Sequence, residues 1–106
     1  MNMDTIKLNN GVEMPQLGYG VFQVSPVEAE RRVADALSVG YRMIDTAQAY
    51  QNEEGVGTAI RKSGIKRENV FLVDKVWMGN YEDDAAARSI DESLRKLGTD
   101  YIDLML

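Results

Sequence analysis

The stretch Tyr41–Tyr50, YRMIDTAQAY, places an apolar pair, Met43 and Ile44, directly before Asp45, with a tyrosine five residues further on. By itself it reads as a short buried strand that runs into a carboxylate and then a phenol. Moving outward, similar apolar runs begin at Leu17, Met43, Val70 and Ile102, at intervals of 26, 27 and 32 residues. Each interval holds a helix-like segment. The pattern is strand and helix in alternation, and strands joined by helical crossovers run parallel. Val70, Phe71, Leu72 and Val73 are all apolar, as are Ile102, Leu104, Met105 and Leu106, which suits strands covered on both faces.

The helices carry their own punctuation. Ser25, Pro26 and Glu28 supply a cap hydroxyl, a proline at the first helical position and a carboxylate expected to reach back to the cap, and Gly40 ends the segment. Ala29, Val33, Ala36 and Leu37 share one face, which is expected to pack on the sheet while Glu30, Arg31 and Asp35 stay wet. A second helix is expected from about Asn52 to Ser63, stopped by Gly64, and a third carries Ala86, Ile90, Leu94 and Leu97 before Gly98. Ahead of the repeat, IKL, NNG and VEM suggest a hairpin turning at Asn9, Asn10 and Gly11.

Composition narrows the function classes. At 106 residues and 44% hydrophobic, the chain has the size of one domain. Seventeen acidic against 12 basic residues give a net charge of −5, with no basic run to follow a phosphate backbone, so nucleic acid is not an expected partner. No apolar run approaches the roughly 20 residues that span a bilayer, and MNMDTIKLNN has no hydrophobic signal core. A cytoplasmic setting is the default expectation. Without Cys or His there are no thiol nucleophiles or disulfides, and the usual zinc ligands are missing, so no metal site is expected.

In parallel α/β architectures the ligand site forms at the carboxyl edge of the strands. That edge should gather Gly20, Val21 and Phe22, then Asp45 and Tyr50, then Lys75 and Trp77. A free phenol has a pKa of about 10, so a nearby cation that favours its anion makes it a better general acid at neutral pH. Lys75 is placed to be that cation, and Asp45 to keep it charged. Taken singly, each residue has a plainer reading: a turn carboxylate, a packed tyrosine, a solvated lysine, a core tryptophan, a phenylalanine plug. Only their coincidence at strand ends favours chemistry. Gly18 and Gly20, in GYG, lack the third glycine of a dinucleotide fingerprint, which argues against a Rossmann site.

The stretch GYRMIDTAQAYQNEEGVGTAIRKSGIKRENVFLVDKVW, with MPQLGYGVFQV before it and SLRKLGTDYIDLML after it, resembles the N-terminal part of an aldo-keto reductase. The resemblance covers essentially all 106 residues. It implies an α/β fold: an N-terminal hairpin, then parallel βα units forming the first half of a TIM (β/α)8 barrel, with residues 1–106 as a partial barrel domain. It implies an NADPH-dependent carbonyl reductase with a small carbonyl substrate. Tyr50 would be the proton donor, Lys75 the group that lowers its pKa and Asp45 the partner of Lys75. Phe22 and Trp77 would line the substrate pocket, and Gly20, Val21, Phe22 and Asp45 would lie beside the nicotinamide ribose.

Two departures stand out. The family's fourth catalytic residue, a histidine, usually follows the fourth strand in a continuation such as IHxP, and this sequence stops at Leu106 and contains no histidine. Half the barrel and most of the cofactor site would also lie beyond that point. The expectation is a reductase completed by a C-terminal half. The alternatives are an inactive half barrel that associates with itself, and a nicotinamide-sensing regulatory subunit. The second departure is Asp74, where the family usually has a small hydroxyl residue. Alternation turns Asp74 toward the helices, where it should need a cationic neighbour, a raised pKa or local disorder.

Overall fold

Asn10 and Gly11 reverse the chain at the start of the fold: Gly11 takes a φ of 86°, and the Val12 N–H donates to Asn10 Oδ1 at 3.0 Å. The computed structural model describes residues 4–106, so the first three residues of the MNMDTIKLNN segment lie outside the described residues. The turn joins β1 (Thr5–Lys7) to β2 (Glu13–Pro15), antiparallel, with Ile6 opposite Met14.

The repeat then follows as β3 (Tyr19–Gly20), α1 (Pro26–Ser38), β4 (Met43–Asp45), α2 (Glu53–Lys62), β5 (Phe71–Asp74), α3 (Asp83–Leu97) and β6 (Leu104–Met105). The four strands form one parallel sheet in the order β3-β4-β5-β6. This is a hairpin followed by sequential parallel βα units, the layout of the first half of a (β/α)8 barrel. The strands are shorter than the apolar runs suggest. Tyr19 rather than Leu17 opens β3, leaving Leu17 63% exposed, and Leu104 rather than Ile102 opens β6. Both are outer strands with a neighbour on one side, so fewer ladder hydrogen bonds hold their ends straight.

Local chemistry sets the helix ends. Ser25 Oγ accepts from the Glu28 N–H at 3.3 Å with Pro26 opening α1. The Glu28 carboxylate does not turn back to the cap. Arg32, one turn later, donates to it from Nε at 3.1 Å, and an i,i+4 charge pair takes the place of the capping box. At the other end the Gly40 N–H bonds to Leu37 O at 3.2 Å and the Tyr41 N–H to Ala36 O at 3.0 Å, with Gly40 at φ 110°. Gly98 repeats this Schellman pattern after α3.

The core lies between the sheet and the helices. Ala29, Val33, Ala36 and Leu37 of α1 are buried, and Ile44 of β4 and Leu72 of β5 meet Val56 and Ile60 of α2 there. In α3, Leu97 and Ser93 are buried, while Ala86, Ile90 and Leu94 stay half-buried, because α2 flanks α3 on one side only among the described elements. On α2, Gly57 permits a close crossing. A methyl group added there would collide with the backbone of Leu97 at the end of α3. Gly57→Ala in the intact protein is therefore expected to cost about 1–3 kcal/mol, read as a lower urea midpoint. Gly20→Ala, whose added methyl meets nothing within 4 Å, should shift it far less. An unchanged midpoint for Gly57→Ala would refute the close approach.

Candidate active site

Register decides which side chains share the rim. Gly20 stands opposite Asp45, and Asp45 opposite Val73. Side chains alternate along a strand, so Lys75, two residues beyond Val73, points to the same face as Asp45. Lys75 Nζ donates to Asp45 Oδ1, and to the Thr46 carbonyl oxygen at 3.2 Å. A single 3-10 turn, Gln48–Tyr50, then carries Tyr50 over the strand ends, its start held by the Gln48 N–H on the Lys75 carbonyl oxygen at 3.0 Å. The result places Lys75 Nζ 5.4 Å from the centre of the Tyr50 ring. The Phe22 ring lies 5.4 Å from the Tyr50 ring, tilted by 55°. Asp45, Tyr50, Lys75 and Phe22 thus meet at one end of the sheet.

The Lys75–Asp45 pair is only partly shielded, with side chains 33% and 40% exposed. Water screens such a pair, so its main effect is to orient the ammonium rather than to stabilise the fold. Phe22 and Trp77 are both exposed. Trp77 joins no aromatic pair among the described residues. It borders a separate cleft of about 350 Å³ between the rim and α3, with Gln48, Asn80, Ser89 and Lys96. Val21 differs from the expectation. Alternation turns its side chain into the core, its N–H donates to Asp45 O at 3.1 Å, and its carbonyl oxygen accepts from Asn52 at 3.0 Å. Val21 packs beneath the rim and presents no side chain to it.

Two amide side chains brace the rim and were not singled out by the sequence reading. Asn52, buried, donates from Nδ2 to the carbonyl oxygens of Val21 and Val24, both at 3.0 Å, and accepts from Thr46 Oγ1 at 2.8 Å. It ties the loop after β3 to the loop after β4. Gln48 Oε1 accepts from the Trp77 N–H at 2.9 Å and from Asn80 Nδ2 at 3.1 Å, while its Nε2 donates to Ser89 and Ser93. Their only signal in the sequence was an amide close to each side of Tyr50. The residues just after the two rim aromatics, Gln23 and Gln51, take left-handed φ values of 64° and 58°. Non-glycine residues seldom adopt that conformation, and it turns the chain sharply where each aromatic must face inward.

Asp74 lies on the helix side, as alternation requires, and is fully buried. Its carboxyl neighbour is not a cation but Glu53, from the first turn of α2. Burial first, and the Glu53 carboxyl second, push the Asp74 carboxyl up to about 8.

The Aldo/keto reductase family profile matches residues 11–106. Morphine 6-dehydrogenase of Pseudomonas putida is 50% identical over 101 residues, which are 95% of this chain and 34% of that protein. The crystal structure of an aldo/keto reductase from Brucella melitensis superposes with a TM-score of 0.97 at 53% identity, over 100% of this chain and 40% of that one. An aldo-keto reductase of Bombyx mori, solved in complex with NADP, superposes with a TM-score of 0.92 at 36% identity, over 99% and 38%. The chain therefore spans little more than a third of the proteins it matches.

The bracing by Asn52 has a measurable consequence. Asn52→Leu leaves the Val24 carbonyl and the Thr46 hydroxyl without a buried partner, and the Val21 carbonyl with only the Val24 N–H, at 3.0 Å. It is expected to lower unfolding free energy by about 3 kcal/mol, since each orphaned buried group costs about 1–3 kcal/mol. Chemical denaturation of the intact protein measures it, and a loss within error of zero would show that the amide is not a brace.

Proposed function

Because the chain belongs to the Aldo/keto reductase family, we propose that it supplies one part of the active-site rim of a cytoplasmic NADPH-dependent reductase that turns aldehydes or ketones into alcohols. The observation that carries this reading is the meeting of Asp45, Lys75 and Tyr50 at one sheet edge. Tyr50 gives its proton to the carbonyl oxygen of the substrate, the Lys75 ammonium stabilises the phenolate left behind, and Asp45 holds the ammonium in place. Phe22 and Trp77 wall the substrate.

When bound, the cofactor supplies the hydride that goes to the carbonyl carbon. The residues present suit its nicotinamide ribose end. Gly20 leaves open space, with nothing within 4 Å of an added methyl, and the partly exposed Asp45 carboxylate beside it accepts hydroxyl groups. They do not suit its phosphates, because the ammonium at this rim, Lys75, is already paired with Asp45. Phosphate contacts, and the histidine absent from this sequence, belong to further barrel strands in this reading. The outer strands β3 and β6, with Leu17 and Leu106 each 63% exposed, support completion of the sheet by a C-terminal half or by a second copy.

In the completed barrel, Tyr50→Phe and Lys75→Met are each expected to cut kcat by at least about a hundredfold, and Asp45→Asn by less, because an amide still accepts from the ammonium. NADPH consumption with a small aldehyde reads this out, and the 106 residues by themselves should stay at the buffer blank. A double-mutant cycle tests the dependence: Asp45→Asn and Lys75→Met should not multiply. Independent, multiplying factors would refute it. Cofactor binding without turnover in the wild-type barrel would point instead to a nicotinamide-sensing subunit.

A further inference from the structure

Asp74 and Glu53 stand apart from the Asp45, Lys75 and Tyr50 group, on the opposite face of β5. Asp74 is 0% exposed and Glu53 3%. Asp74 Oδ2 and Glu53 Oε2 are both buried with no hydrogen-bond donor, and after burial itself the Glu53 carboxyl is the neighbour that pushes the Asp74 carboxyl up. Ionised carboxylates only accept hydrogen bonds, so contact between the two requires a proton on one of them. Two such anions side by side away from water would also repel each other strongly.

The surrounding charges do not replace that proton. The Lys75 N–H donates to Asp74 Oδ1 at 2.8 Å, but the Lys75 ammonium is engaged by Asp45 on the other face. From α3, Glu92 and Lys96 line the cleft that Glu53 borders, and Glu92 is taken by Arg95. Glu54, next to Glu53 on α2, is exposed. Beside β6, Asp103 pairs with Arg67 at 3.0 Å.

We propose that Asp74 and Glu53 share a single proton, and that this acid pair fixes the end of β5 against the first turn of α2 and so positions Lys75. The shared proton does not depend on the rim being catalytic, whereas its effect on turnover rests on the reductase reading. Three bonds transmit it. Lys75 is held at its N–H by Asp74, at its carbonyl by Gln48, and at its ammonium by Asp45. Removing the proton places two anions directly behind the first of these.

The sign of the pH dependence follows. The Asp74 carboxyl is raised from 3.8 to about 8, so between those values the folded chain keeps a proton that the unfolded chain has released. This contribution to stability is complete below the lower value. It declines by about tenfold in the folding constant per pH unit as pH rises, and is gone above the higher value.

The test compares wild type, Asp74→Asn and Glu53→Gln in the intact protein. Asparagine offers amide hydrogens where the shared proton stood and an oxygen for the Lys75 N–H, without a titrating charge. With carbon-13 aspartate labelling, the Asp74 carboxyl should titrate near 8 in wild type. In Glu53→Gln it should titrate at lower pH, because the glutamine amide donates to ionised Asp74. Urea midpoints should show the Asp74→Asn advantage over wild type growing with pH until that titration is complete. Should Asp74→Asn fail to fold, the wild-type and Glu53→Gln titrations decide the matter. An Asp74 carboxyl titrating in the ordinary carboxylate range, or a difference independent of pH, overturns the shared proton. For positioning, wild-type kcat should fall across the same titration with KM unchanged, and Asp74→Asn should lack that limb. Identical profiles overturn the positioning role, while a wild-type barrel with no turnover sinks the reductase reading and leaves the carbon titration to judge the pair.

Discussion

Strands that follow one another through helical crossovers must run in the same direction, and every other feature of this chain rests on that constraint. Parallel direction brings all the carboxyl ends of β3 to β6 to one side, and the register then assigns faces. Because the side-chain period is two, a slip of one residue in β5 would send Lys75 to the helices and Asp74 to the rim. Adjacent residues of similar polarity thus receive opposite fates. Lys75 emerges among Asp45, Tyr50 and Phe22, while Asp74 is enclosed with Glu53.

The rim itself is made of segments that have left the sheet and lost their ladder partners. Their backbone groups still need hydrogen bonds, and side-chain amides provide many of them. Asn52 and Gln48 each reach into a different loop, so the ends of β3, β4 and β5 are joined laterally as well as through the sheet. Such bracing bears on the proposed reductase site, because a proton donor and a cation beside it would act only within a narrow range of geometry. It also gives a reason for the strained turns at Gln23 and Gln51, which persist because the surroundings over-determine them.

Burying Asp74 runs against that economy. A hydroxyl at this place would need a single partner, whereas a carboxyl must keep a proton near neutral pH or carry an unpaired charge into the core. The fold resolves the conflict by setting a second acid against the first rather than a base, and the pairing lies directly behind the backbone of the lysine in the site.

How much of this could be read from the sequence depends on the range of the forces involved. The hairpin at Asn10 and Gly11, the Ser25 cap with Pro26, and the stops at Gly40 and Gly98 come from interactions within a few residues, and the sequence alone determined them. The alternation of apolar runs likewise determined parallel strands, and with them the end of the sheet at which Asp45, Tyr50 and Lys75 gather. The tertiary structure decided whatever depends on a neighbour distant in the chain. It shortened β3 and β6, because outer strands have one partner, and it drew Val21 into the core, because alternation beyond Gly20 turned its side chain toward the buried cluster. It also chose Glu53 as the companion of Asp74 and gave Asn52 and Gln48 their bracing roles. Apolar periodicity and local propensity record how each segment folds by itself; which polar groups meet across the core is settled only when the segments pack.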